Sequence, residues 1–335
     1  MIVELPVKVL MDVDTGLDDA IAIIMALQSP EIEIIGITTV SGNVTAKAAA
    51  LNTLGILRKM DKESKIPVMK GASKPLSKKI VHSEEVHGEK GLGNITLQCN
   101  PALLQKGNVS AFISETLANY RRGEVALVAT GPLTNIARAI LEDPEITDSL
   151  SRICIMGGAF GLASKVHGNI TQYAEFNFYC DPKAAQIVMT HASSGAVRLN
   201  IVGLDVTDKY LTIDDEFVSR LSNRQCKKKK KKKGGSSNSN NYKVPIIVKS
   251  LLRYPLTKFG KFDLPDVFAV AMFERPELFR FKRGKIDIVQ NGPLWGHSRI
   301  VKGSQNINED NKTFVATGVT NVRVFCSYVF SRLCK

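Results

Sequence analysis

The chain reads as an α/β protein: one domain with a mostly parallel central sheet flanked by helices. Three observations predict this. Short apolar, β-branched runs alternate with amphipathic helical runs over the first 200 residues, which implies parallel strands joined by right-handed helical crossovers. Polar residues follow directly on several strands, as ligand-binding edges of such sheets do. No composition shift divides the 335 residues into two cores.

The elements follow in order. Val7 to Met11 is an apolar strand, and Ala20 to Leu27 an apolar helix. Ile32 to Val40 is a β-branched strand. Thr45 to Met60 is a helix with Ala48, Ala49, Leu51, Leu54 and Leu57 on its apolar face. Glu124 to Ala129 is a strand, and Pro132 to Leu141 a helix with proline in its first turn. Arg152 to Met156 is a strand, Pro182 to His191 a helix, and Val197 to Val202 a strand. The last third is less regular. Helices are expected at 214–223, 245–254 and 266–274, strands at Arg283 to Asn291 and Ser298 to Lys302, and a closing helix at Thr320 to Leu333.

Composition narrows the class. Hydrophobic content of 44% and charged content of 23% are ordinary for a globular chain. No apolar run reaches the roughly 18 residues of a membrane span, and the N-terminus lacks a secretory signal. The six cysteines are scattered without a C-x-x-C pair, so they read as reduced thiols of a cytoplasmic protein. Of the net charge of +13, seven units come from the run Lys227 to Lys233, leaving +6 for the rest. That run and the following Gly-Gly-Ser-Ser-Asn-Ser-Asn-Asn form a low-complexity loop at about 226–243 with nothing to bury, expected to be disordered. It reads as a surface insertion rather than a nucleic-acid tether.

The chemistry concentrates in Met11-Asp-Val-Asp-Thr-Gly-Leu-Asp-Asp-Ala20, where Asp12, Asp14, Asp18 and Asp19 fall at a strand end and the first turn of a helix. Helix-capping accounts for Asp18 and Asp19 but not for Asp12 and Asp14. Ionised carboxylates this close repel one another unless protons or a hard, oxygen-seeking cation intervene. Further strand ends carry Ser41-Gly42-Asn43, Thr130-Gly-Pro-Leu-Thr-Asn135, Met156-Gly-Gly158, Gly203-Leu-Asp205 and Leu264-Pro265-Asp266, with Gly168-Asn169 and Ala174-Glu175-Phe176-Asn177 between them. Their convergence on one edge predicts a binding crevice.

In these motifs the chain resembles the inosine-uridine type nucleoside hydrolases, calcium-dependent N-ribohydrolases. Asp12-Val-Asp-Thr-Gly-Leu-Asp-Asp19 matches the family's D-x-D-x-G-x-D-D, and Thr38 to Asn43, Thr130 to Asn135, Met156 to Gly158 and Ala174 to Asn177 match in order. The resemblance covers nearly the whole chain apart from 226–243. It implies an active site at the carboxyl ends of the strands and cleavage of ribonucleosides to ribose and free base, in nucleoside salvage or catabolism. It implies calcium held by Asp14, Asp19, Asp266 and the carbonyl of Thr130, with Asp14 also accepting the proton of a water and Asn43 beside both. Asp18, Met156, Asn169, Glu175 and Asn177 then hold ribose hydroxyls. Phe176 is a core aromatic or a wall beside the sugar. His87, in the glycine-rich Val-His-Gly-Glu-Lys-Gly-Leu-Gly93, matches a mobile loop and touches the base. Relatives are commonly homodimers or homotetramers. The partner is a small-molecule ribonucleoside, with neither membrane nor nucleic acid.

One position departs from the pattern. Many relatives have His-Asp where this chain has Pro265-Asp266, and that histidine is thought to protonate the leaving base. Metal binding survives the change; base activation needs another group. Asn135 and Asp205 read as helix or turn caps, Trp295 as packing, and Tyr254 and Phe259 as aromatics near the base. His82, His167, His191 and His297 have no assigned role. Two alternatives are weaker. A haloacid-dehalogenase-like phosphatase also opens with D-x-D-x-[TV], but its later lysine and acidic pair are missing. A non-catalytic calcium- or ribose-binding relative accommodates Pro265 but leaves the retained acids unexplained.

Overall fold

The computed structural model describes residues 5–77, 79–162, 167–193, 197–221, 243–301 and 312–334. The lysine-rich segment expected to be disordered lies outside these residues, as does Cys226.

The chain builds a nine-stranded sheet in the order β10-β13-β7-β6-β5-β1-β2-β3-β4. Its central strands are β1 (Val7–Val13), β2 (Ile32–Thr39), β5 (Val125–Ala129), β6 (Leu150–Met156) and β7 (Arg198–Val202). Short strands β3 (Val68–Lys70) and β4 (Leu104–Gln105) extend one side; β13 (Thr313–Val319) and β10 (Phe279–Arg283) extend the other. All pairings are parallel except that of β10 with β13. β1 and β5 are buried along almost their whole length, as expected for strands covered on both faces.

Order along the sheet fixes the location of the site. From β1 the chain winds outward through β2, β3 and β4, then crosses back to β5 on the other side of β1 and winds outward again. The loops leaving β1 and β5 therefore diverge, opening a crevice at the carboxyl ends of these strands.

Helices cover both faces. Helix α1 (Leu17–Leu27) follows β1 and is buried almost throughout; α2 (Ala46–Lys59) is capped by Thr45, whose side chain accepts from the amide of Ala48. Next come α3 (Glu84–His87), α4 (Val109–Ala118), α5 (Thr134–Glu142), α6 (Phe176–Cys180), α7 (Pro182–Ser193) and α8 (Leu204–Tyr210). A helical stretch at 215–221 is α9. Helices α10 (Lys243–Phe259), α11 (Pro265–Glu274) and α12 (Val322–Leu333) complete the chain. Two apolar clusters lie on opposite sides of the sheet, one containing Ile21, Phe268 and Phe325, the other Leu127, Ile153 and Val188.

Several sequence expectations are corrected. The helix expected to end at Tyr254 runs through Pro255 to Phe259. Proline removes one helical hydrogen bond, but burial of Leu251, Leu252 and Pro255 holds the helix together. The strand expected at 283–291 is divided: β10 ends at Arg283, and β11 (Ile286–Ile288) pairs instead with β12 (Ser298–Ile300) in a separate two-stranded sheet. Strand β13 was not expected, because Ala316 and Gly318 dilute its β-branched pattern.

Candidate active site

The expected polar strand ends do converge. A cavity of roughly 410 Å³ opens over β1, β5 and β6, lined at its deep end by Asp18, Asn43, Thr130, Met156, Asn177 and Asp266. Asn169, Glu175, Phe176 and His87 also line it. Asp14 and Asp19 are fully buried beneath.

The acids are held by the first turn of α1. Asp19 caps the turn: its Oδ2 accepts from Gly16 N at 2.9 Å and Asn43 Nδ2 at 3.1 Å, and its Oδ1 from Thr130 Oγ1 at 2.7 Å. Asp14 Oδ2 accepts from Asn43 N at 2.6 Å. Asn43 thus bridges both acids. Two glycines make room for Asp14. A Cβ on Gly42 would sit 2.1 Å from Asp14 Oδ2, and one on Gly131 3.0 Å from Asp14 Oδ1.

Oxygens of Asp18, Asp19 and Asp266 lie within 4.8 Å of one another. Asp14 Oδ1, Asp18 Oδ1 and Asp266 Oδ2 are buried without a hydrogen-bond partner among the described residues. Burial first, then the neighbouring carboxylates, pushes the carboxyl pKa values of Asp14, Asp19 and Asp266 above the usual range. Unpaired, crowded carboxylate oxygens in a buried pocket are a donor set suited to a hard divalent cation. The donors present, all oxygen, fit that ion. In this grouping Asp18, expected on the ribose, lies in a trio with Asp19 and Asp266, and Asp14 stands next to Asp19.

Asp12 is tied elsewhere through Oδ1, while its Oδ2 is also buried without a hydrogen-bond partner among the described residues. Its Oδ1 accepts from Thr38 Oγ1 at 2.5 Å and Asn135 Nδ2 at 2.7 Å. Asn135 also donates to Thr39 O at 3.1 Å and accepts from Ala72 N at 2.8 Å. The reading of Asn135 as a cap is therefore corrected: it stitches the ends of β1, β2 and β3. Burial raises the Asp12 carboxyl to about 7. Asp205 accepts from Phe160 N and Leu162 N, both at 2.6 Å, and so holds the loop after β6, a turn-capping role as expected.

The sugar-side residues form a second group. Asn177 Nδ2 donates to Thr130 O at 2.7 Å and to Met156 O at 3.3 Å. Glu175 caps α6: Oε1 accepts from Asn177 N at 2.7 Å, and Oε2 from Gly158 N at 2.9 Å and Phe178 N at 3.1 Å. Despite these bonds, burial carries its carboxyl up to about 7. Asn169, exposed, accepts from Phe176 N at 2.8 Å. Met156 and Phe176 are buried and face the cavity, so each is core and wall at once.

The open end of the cavity holds His87, Ser83, Val86, Phe259, Lys261, Phe262, Asp263 and Pro265. His87 Nδ1 accepts from Leu17 N, the first amide of α1, at 3.1 Å. An accepting Nδ1 carries no proton, so Nε2 does. Burial, the dominant cause, lowers the imidazole pKa to about 4, and the ring lies edge-on to Phe262 with centroids 6.4 Å apart. Of the two aromatics expected near the base, Phe259 lines the cavity and Tyr254 packs behind it against Gly93. His82 Nδ1 bonds Gly42 O at 2.8 Å, and Trp295 Nε1 donates to Tyr179 O at 2.9 Å, a packing role. Lys261, Asp263 and Asp208 were missed. Lys261 and Asp263 lie within five residues of Asp266, on the short strand β9 (Phe262–Asp263) or next to it, and adjacency to that motif was the available signal.

Among the described residues no helix is long and apolar enough to cross a membrane. Among the described residues, Cys99, Cys154, Cys180, Cys326 and Cys334 form no disulfide with one another.

Comparison with known proteins agrees with this geometry. The sequence model of the inosine-uridine preferring nucleoside hydrolases matches residues 9–326. Uridine nucleosidase 1 of Arabidopsis thaliana is 34% identical over 305 residues, covering 91% of this chain and 84% of that protein. A pyrimidine-specific ribonucleoside hydrolase of Salmonella paratyphi C is 40% identical over 201 residues, 60% of this chain and 61% of that one. Among solved structures, a purine-preferring ribonucleoside hydrolase from Gardnerella vaginalis superimposes with a TM-score of 0.82 at 27% identity, covering 98% of both chains. A plant nucleoside hydrolase gives 0.82 at 28% identity, covering 98% of this chain and 99% of that one. With its motifs gathered at the switch point of a matching sheet, the chain belongs to the inosine-uridine preferring nucleoside hydrolase family, enzymes that hydrolyse the N-glycosidic bond of ribonucleosides.

Proposed function

We propose that this enzyme is a calcium-dependent ribonucleoside hydrolase in which Asp14 is the general base. The observation that carries the reading is the set of buried, unpartnered oxygens of Asp14, Asp18 and Asp266 around Asp19. Asp14, Asp19, Asp266 and the Thr130 carbonyl would hold a calcium ion, which when bound supplies Lewis acidity and orients water and ribose hydroxyls. Calcium acidifies water less than zinc does, so a carboxylate base remains necessary. Asp14 Oδ1 takes the proton, while the Asn43 amide fixes Oδ2. Asp18, Asn169, Glu175, Asn177 and Met156 hold the ribose, and Phe176 walls it. C–N cleavage develops oxocarbenium character, as O-glycoside hydrolysis does, and the acid cluster stabilises that positive charge.

Pro265 offers the leaving base no proton. His87 would assist it, as a neutral donor through Nε2 rather than as an imidazolium acid, a reading supported by its place in the cavity lining and by the Leu17 amide bonded to Nδ1. A neutral donor helps a poor leaving group less than an acid does, so nucleosides whose base leaves readily, such as inosine, are favoured over uridine and cytidine. Release of base from inosine, adenosine, guanosine, uridine and cytidine, with and without calcium, tests the reading. Full-rate turnover in chelator overturns the metal role; no turnover with any of them overturns the activity. The family likeness and the sequence further support one domain spanning 1–335, a cytoplasmic location and assembly as a homodimer or homotetramer, which sedimentation would check.

A further inference from the structure

The loop that carries His87 is tied to α10 both before and after the histidine. Lys258 Nζ donates to the Glu85 carbonyl at 2.6 Å and to the Tyr254 hydroxyl at 3.2 Å. Tyr254 in turn packs on Gly93: a Cβ there would lie 2.5 Å from Tyr254 Cβ, and Gly93 has a φ of +60°. Gly93 N donates to His87 O at 2.7 Å, so the far end of the loop closes back on the histidine itself. The loop's other fastenings come from the core of the fold. Leu17 N reaches His87 Nδ1, and Asn52 Nδ2 of α2 donates to Lys90 O at 2.7 Å. Among the described residues, the ties to α10 and the edge-on contact of His87 with Phe262 join the loop to the far wall of the cavity. There Val86 of the loop and Phe259 of α10, 36% and 46% exposed, both line the opening. The Lys258 ammonium also lies 5.2 Å from the centre of the Phe259 ring.

We propose that Lys258 and Tyr254 are positioning residues that latch α10 onto the 83–93 loop and so hold His87 over the base. This rests on the reading of His87 given above. The Lys258–Glu85 tie joins two exposed residues, so it contributes little to global stability. Its effect is local, on a segment that opens independently of the core. A loosened loop costs rate only where the leaving base needs the histidine. That requirement separates positioning from a merely structural role.

The test uses the full-length protein with calcium and three variants: Lys258→Met, which keeps the aliphatic stem, Lys258→Arg and Tyr254→Phe. Each is assayed on inosine, on uridine and on p-nitrophenyl riboside, whose leaving group needs no donor. Lys258→Met is expected to lower kcat/KM for uridine about tenfold, the scale of one charge-assisted bond, and p-nitrophenyl riboside turnover by less than about twofold. Lys258→Arg, which retains a cationic donor, should recover most of the loss, and Tyr254→Phe should fall between. Amide hydrogen exchange without substrate should quicken at 83–93 in Lys258→Met and nowhere else. Equal losses on uridine and p-nitrophenyl riboside, or unchanged exchange at 83–93, overturn the latch. A wild type that releases base from none of the substrates overturns the proposed activity instead, while the exchange measurement still decides the latch.

Discussion

Replacing Asp14 by asparagine isolates the base from the site that surrounds it. Asparagine has nearly the same shape, and its Oδ1 can still accept from Asn43 N, a contact of 2.6 Å in the wild type. The slot between Gly42 and Gly131 accommodates it for the same reason. What changes is the oxygen that had no partner, Asp14 Oδ1. It becomes an NH2 group that can neither take a proton nor face a cation. Loss of a positioned base lowers the rate by about 10²–10⁴, and one negative charge fewer beside Asp19 weakens calcium binding as well. The two effects separate by calorimetry of calcium binding alongside single-turnover rates at saturating calcium. Asp12→Asn is the control: Asp12 serves Thr38 and Asn135 rather than the trio, so calcium affinity should hardly move. Asp14→Asn turning over at near the wild-type rate once calcium saturates would falsify the assignment of Asp14 as base.

Asn177→Ala should lower turnover and, because Asn177 supports the Thr130 carbonyl, weaken calcium binding modestly; normal turnover in a calcium-saturated assay removes Asn177 from the site. Without calcium, stability should fall as pH rises. Asp12 and Glu175, raised to about 7, keep protons in the folded chain that the unfolded chain has already released, so stability is lost between their ordinary values and about 7. His87, lowered to about 4, acts oppositely but only up to its ordinary value, leaving the carboxyls unopposed from about pH 6.5 upward. Thermal melts in chelator should show this decline and added calcium should offset it; a flat profile in chelator counts against the buried acids. Deleting Lys227 to Asn241 should leave the melting temperature and KM nearly unchanged, and a large loss of either shows that the segment is part of the folded enzyme.

The parts of the fold legible in sequence were those whose signals are local. The apolar run before Asp12 and the helix after Asp19 follow from periodicity, and β5 with Thr130 at its end follows from the same pattern. Pro255 misled for a local reason: alone it disfavours a helix, and only the burial of its neighbours reverses that. Asn135 and Asp12 misled because their partners, Thr38 on β2 and Ala72 just after β3, lie far away in the sequence. Lys261 and Asp263 stayed hidden because cavity walls are assembled from residues whose side chains carry no sequence motif. The nearness of Asp14, Asp19, Thr130 and Asp266 was legible only through the order of the motifs, since no spacing in the chain brings residue 266 beside residue 19.

Gly42 and Gly131 show what a site can owe to atoms that are not there. Neither has a side chain to bind metal, sugar or water, yet a single methyl at either would press on the Asp14 carboxylate. At Gly42 there is no slack to absorb it, because the same methyl would also meet Pro132 Cδ at 2.7 Å. An alanine scan of this enzyme would therefore score two chemically inert positions as though they were catalytic. The missing volume is as much a part of the site as the acids themselves.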